Sequence, residues 1–272
     1  MATLLNTFAF DKNGYLIQID DILAAQPTPV PGPTPSPVPP GPMTIRFRFS
    51  NKEFDPNTLD ITKGTWTKVQ YAAENDWDFV RNDNLWRNMF ENKFTEDNGY
   101  VDIIENGDIS TITSLDGCFK DCTALRNVKL VGTTNLNECA NIFTNDINLA
   151  ACEITDTGSN VNWSNAFSNC KSLTNYDKIY LDKASVCANM FNNCTSLNHL
   201  ALFNLTGIVS VDLMFNGSIN VSSGMYDLYL AFEQTGKDWL HYGLPFQLCG
   251  TATESGRAER AKIPVQWGGD LT

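Results

Sequence analysis

Phe119, Phe143, Phe167, Phe191 and Phe215 follow one another at a constant interval of 24 residues, and the apolar positions around them recur at the same interval. Counted from each Phe, offsets −4, −1, 0 and +3 read Leu115, Cys118, Phe119, Cys122, then Cys139, Ile142, Phe143, Asp146. The next copies read Trp163, Ala166, Phe167, Cys170, then Cys187, Met190, Phe191, Cys194, and finally Val211, Met214, Phe215, Ser218. Spacing of i, i+3, i+4, i+7 predicts the buried stripe of a short amphipathic helix. At +2 stand Asp121, Asn145, Asn169, Asn193 and Gly217, types that tolerate the left-handed conformation that ends a helix. From +6 the apolar residues alternate, as in Val128 and Leu130, Cys152 and Ile154, or Leu200 and Leu202, which predicts a half-buried strand. A helix and a strand of this size cannot bury their own apolar side. The expected fold is therefore an α/β repeat, a solenoid of about five stacked helix–strand units of 24 residues.

The flanks supply what such a stack needs. Residues 1–26 place apolar strands around Leu5 to Phe10 and Tyr15 to Ile19 on either side of the turn sequence "DKNG", a β-hairpin. Residues 27–42 hold nine of the twelve prolines and read as an extended polyproline stalk rather than an SH3-type ligand, since no basic residue flanks the PxxP register. Residues 43–112 open with the alternating "TIRFRFSNKEF" and contain a diverged unit with Trp86, Met89 and Phe90 at −4, −1 and 0; they are expected to cap one end of repeats spanning 113–222. Residues 223–272, rich in aromatics (Tyr226, Tyr229, Phe232, Trp239, Tyr242) and with a short helix expected over Arg257 to Lys262, are expected to cap the other.

Segments such as "ANMFNNCTSLNHLAL" (Ala188 to Leu202) and "NAFSNCKSL" (Asn165 to Leu173) resemble the "MFxxCxSLxxLxL" unit of BspA-like leucine-rich repeats, found in bacterial surface proteins and some phages of gut bacteria. The resemblance covers roughly 85–235. It departs from the pattern at Asp146, at Leu213 in place of Asn at offset −2, and in "LTNYDKIYL", where a bulge is expected. It implies a leucine-rich-repeat-like, right-handed solenoid with a binding or display role and no enzyme.

Composition narrows the partners. A formal charge of −12, with 19 scattered Lys and Arg, argues against nucleic acid and anionic membranes. No apolar stretch reaches the 18 residues of a membrane span, and the N-terminus has no basic n-region. Six of the eight cysteines sit on the stripe and Cys152 on an inward strand position, where free thiols behave as small hydrophobes; no CxxC pair exists, so neither a metal nor another cofactor is expected. His199 and His241 are too few for a nucleophilic triad, and 31 acids in 272 residues produce carboxylate pairs by chance, so no catalytic residues are assigned.

What remains is surface. Offsets +8 and +10 point outward and nominate Asn127, Lys129, Glu153, Asn175, Asp177, His199, Ser223 and Met225 as a recognition face for a bacterial surface protein or glycan. Phe8, Phe10, Tyr15, Leu16 and Ile17 give the hairpin more apolar surface than two strands hide, which points to a docking anchor on a phage capsid or tail protein and to a homo-oligomeric base, a trimer. The expectation is a virion appendage, a head or tail fibre displaying its repeat domain for adhesion. The alternative is an adhesion or protein–protein interaction module at a bacterial cell surface.

Overall fold

The structure is a computed structural model that describes residues 8–10, 16–18 and 42–272, apart from 62, 71, 73, 85 and 238–242. The chain divides into two units, Met1–Pro39 and Pro40–Thr272. In the first, β1 (Phe8–Phe10) pairs antiparallel with β2 (Leu16–Gln18), Phe10 opposite Leu16. Tyr15 of the expected anchor and residues 27–41 of the stalk lie outside the described residues, as do Trp239, His241 and Tyr242.

The second unit is built on a six-stranded mixed sheet. Its strands are β3 (Met43–Phe49), β4 (Thr65–Lys68), β5 (Asn75–Arg81), β6 (Val101–Asn106), β7 (Leu125–Leu130) and β8 (Ala151–Ile154), in the order β4-β5-β3-β6-β7-β8. Strict alternation in β3 turns Met43, Ile45, Phe47 and Phe49 into the core and Thr44, Arg46 and Arg48 to the other face. Pairing is antiparallel from β4 to β6 and parallel from β6 to β8, where Asn127 lies opposite Ala151 and Lys129 opposite Glu153.

This architecture overturns the expected helix–strand solenoid. Among the described residues the α-helices are α1 (Met225–Gln234) and α2 (Glu254–Arg260), both beyond the last of the equally spaced phenylalanines; none lies between 113 and 222. The final helix begins three residues before the expected start, where Thr253 Oγ1 accepts from the Gly256 amide.

The backbone gives the reason. Offset +2 is left-handed, as its residue types allow, at Asp121, Asn145, Asn169, Asn193 and Gly217. Offset −2 is left-handed too, at Gly117, Asn141, Asn165, Asn189 and Leu213. Two such residues four apart leave no room for the run of right-handed residues that i→i−4 bonding requires. Consecutive tight turns form instead. The amides at −1, +1 and +3 bond three residues back, as in Cys118 N to Leu115 O (2.9 Å), Lys120 N to Gly117 O (3.2 Å) and Cys122 N to Phe119 O (3.1 Å). Amides at −2, 0 and +2 cross to the following turn: Gly117 N to Ala140 O (2.8 Å), Phe119 N to Ile142 O (3.0 Å), Asp121 N to Thr144 O (2.8 Å).

This bonding aligns the side chains in columns. Phe90, Phe119, Phe143, Phe167, Phe191 and Phe215 are fully buried, with neighbouring ring centroids 5.3–5.6 Å apart. Phe246 extends the column at 6.0 Å although it follows Phe215 by 31 residues. Beside it, Asn145, Asn169 and Asn193 each donate Nδ2 to the side-chain oxygen 24 residues earlier, at 2.7, 2.8 and 3.2 Å. At offset −4 the indole of Trp163 has the small Cys139 and Cys187 at the corresponding positions on either side.

At offset +3 a hydrogen-bond donor faces the carbonyl of the preceding Phe: Cys170 Sγ to Phe143 O (3.1 Å), Cys194 Sγ to Phe167 O (3.1 Å) and Ser218 Oγ to Phe191 O (2.8 Å). Asp146 takes this place in the second copy. It is fully buried; Oδ1 accepts from the Cys122 amide at 2.7 Å, while Oδ2 has no partner. Desolvation raises its pKa well above the carboxylate range, partly opposed by the Cys122 amide.

Two outcomes are expected. Phe167→Ala removes a ring stacked on both sides and should lower the unfolding free energy by about 3–5 kcal/mol in denaturant titration. Asp146 ionises more readily unfolded than folded, so the stability it contributes is complete below its ordinary pKa and is lost as pH rises towards the raised folded value. Asp146→Ser should therefore raise the midpoint of unfolding at pH 7 and flatten its dependence on pH between about 4 and 7; an unchanged pH profile would show that Asp146 is not the titrating group.

Candidate functional site

The outward face of the six-stranded sheet carries a continuous polar row. Arg46 and Arg48 stand opposite Asp78 and Asp76 of β5, and opposite Glu105 and Asp102 of β6. Each guanidinium is bidentate to one aspartate, Arg46 to Asp78 and Arg48 to Asp76 (Nε to Oδ1 2.6 and 2.8 Å), and Arg46 also pairs with Glu105. These hydrogen bonds, Asp78's and Asp76's first, raise the two arginine pKa values further. The row continues as Asn127 Nδ2 donates to Asp102 Oδ1 at 2.8 Å, and Glu153 lies 3.8 Å from Lys178.

Seven of the eight nominated face residues reach solvent. Asn127, Lys129, Asn175, Asp177 and His199 are exposed; Glu153 and Ser223 are half-buried. Met225 does not belong there: it is fully buried as the first residue of α1, because the chain turns at Gly224 and starts the helix where an outward strand position was expected. Leu202, expected inside, is 61% exposed. Asn127, Lys129, Glu153 and Asn175 line one open groove of ≈ 480 Å³ with Asp102 and Lys178. Asp177 belongs to a second groove of ≈ 410 Å³ that adjoins the first at Lys178. His199 and Ser223 meet away from both grooves, Nδ1 to Oγ 2.9 Å. Phe8, Phe10, Leu16 and Ile17 fall on β1 and β2. Counting offsets from the phenylalanines missed Arg46, Arg48, Asp102 and Lys178; the alternation in "TIRFRF" was the available signal for the arginines.

The His199–Ser223 pair lacks a carboxylate on the second ring nitrogen among the described residues. The amides at the N-terminus of α1, the nearest candidates for stabilising an oxyanion, already donate to the Glu259 carboxylate (Met225 N to Oε2 2.7 Å). Among the described residues no group of three or more His, Cys, Asp or Glu is placed to hold a metal ion. No helix there is long and apolar enough to cross a membrane.

A family described as "Mycoplasma protein of unknown function, DUF285" matches residues 84–202 and 113–227, together more than half of the chain. The chain belongs to this family. Membership is compatible with a BspA-like surface protein, while leucine-rich repeats as such are not identified by it. No curated protein and no solved structure matches the chain. The matched span begins two residues before Trp86 and takes in β6, β7, β8 and every lining residue of both grooves.

All eight cysteines are free and buried. Burial pushes the Cys187 thiol up to about 12 and raises the other seven as well, so thiolate is scarce at neutral pH. The native protein at pH 8 is expected to react negligibly with a thiol reagent and to release eight thiols on denaturation; fast labelling of any one cysteine in the folded state would contradict the burial.

Proposed function

We propose that the protein is a non-enzymatic binding module displayed at a surface, held by its N-terminal segment and presenting the sheet face to a partner. The observation that carries this reading is the polar row from Asp78 to Lys178, an outward face whose arginines and Lys178 are paired with acids and pre-positioned. Membership of a family compatible with BspA-like surface proteins supports it. The first setting is adhesion at a bacterial cell surface. The order of a hairpin, a proline run and a separate compact unit supports a second setting, a fibre on a virion, docked on a capsid or tail protein through 1–26 and joined as a trimer at its base.

Labelled full-length protein should bind bacterial cells saturably. Reversing Lys129 to Glu and Glu153 to Lys together should weaken that binding by about tenfold or more, with thermal unfolding unchanged. Saturable binding unaffected by the double change would remove the sheet face from the proposal.

A further inference from the structure

The parallel ladder that runs from β6 to β8 stops at the third copy, whose inward strand position carries an unusually large side chain. Tyr176 occupies the inward strand position held by Val128, Cys152 and Leu200 in the other copies. Its ring is buried and stacks on Phe191 at 4.7 Å, and its hydroxyl donates to Ala201 O at 2.8 Å. Pairing with β8 persists only at Ile154, through Ile154 N to Lys178 O and Tyr180 N to Ile154 O, and resumes at Leu200 N to Ser223 O. Between these points Asn175, Asp177 and Phe203 have backbone N–H and C=O groups with no protein partner. The ≈ 410 Å³ groove lies here, floored by buried Ile179 and Leu181 and edged by exposed Leu202.

We infer that this opened ladder is the docking cleft for an extended, basic segment of a partner protein. The inference rests on the reading of the sheet face as a binding surface and names its ligand. Unpaired strand-like backbone groups recognise a main chain in extended conformation, and apolar floor beneath them takes alternate side chains. Charge selects the rest. Asp177 and Asp182 outnumber the single Lys178 around the groove, and the chain carries a net −12, so Lys and Arg on the intervening positions are attracted while acidic segments are repelled.

The test uses full-length protein and synthetic decapeptides that alternate Val with Lys, Ser or Glu. The Val/Lys peptide should bind about tenfold or more tighter than the other two, and should slow amide exchange at Asn175, Asp177 and Phe203. Tyr176→Val, which restores the residue type of the first copy, should abolish that protection. Asp177→Lys with Asp182→Lys, a surface change, should invert the preference to the Val/Glu peptide, and decides the matter alone if Tyr176→Val does not fold. Equal binding of all three peptides, protection elsewhere, or an unchanged preference after the charge reversal would overturn the inference. Cell binding measured on the same variants separates the two readings. Unmodified protein that adheres to cells but shows no preference for the Val/Lys peptide counts against the cleft alone; peptide binding by a protein that adheres to no cell counts only against adhesion.

Discussion

Backbone amides at offsets −2, 0 and +2 around each phenylalanine have no acceptor within their own turn, and their bonds to the next turn determine most of what surrounds them. Those bonds exist because left-handed residues at −2 and +2 aim alternate amides outward, while the amides between them close local turns. Once one turn is bonded to the next, 24-residue neighbours are held at the separation of paired backbones, and like side chains fall on like: Phe over Phe, Asn over Asn. The ring column is thus a result of the hydrogen bonding as much as a cause of stability. A residue without a suitable neighbour in its column becomes conspicuous, as Asp146 does among cysteines and a serine, with one carboxylate oxygen unsatisfied in the interior.

How much of this the sequence disclosed depended on which signal was read. The period, the buried side of each copy and the strands at β3, β7 and β8 follow from apolar spacing alone. The helix did not materialise because offsets −4, −1, 0 and +3 are buried equally well by a helix and by successive turns; spacing cannot separate them. Residue type can. Asn141, Asn165 and Asn189 at −2, with Asn145, Asn169 and Asn193 at +2, are residues whose short amides tolerate positive φ, and two of them within one turn argue against a helix. Leu213 and Leu244 adopt the same conformation with no such predisposition, imposed by the bonds of Leu213 N to Gly243 O and of Phe215 N to Pro245 O. Phe246 escaped notice because 31 residues separate it from Phe215, the excess being taken up by a segment that contains α1.

The candidate site was legible in part for the same reason. Outward strand positions could be counted where the period held, so Asn127, Lys129 and Glu153 fall where expected. Counting failed at its end, where Met225 enters a helix, and said nothing of β3 and β6, which lie before the first regular copy but share the same sheet. There the two arginines of an alternating strand sit between acids on both neighbours, so each charge is compensated across the sheet.

Compensation of this kind bears on where a ligand gains most. Arg46 and Arg48 have already satisfied carboxylates, and a partner that engaged them would first have to break bidentate bonds, so that end of the row holds shape and offers little net attraction. Towards β8 the pairing thins: Lys129 has no ionic partner among the described residues, and Glu153 and Lys178 are 3.8 Å apart with the lysine largely in water. Past β8, at Asn175 and Asp177, even the backbone is unpaired. The polar face therefore grades from a set of satisfied charges to a region with hydrogen-bonding capacity in hand, and Tyr176, which lies beneath that region, is held in place by the same phenylalanine column that holds the turns together.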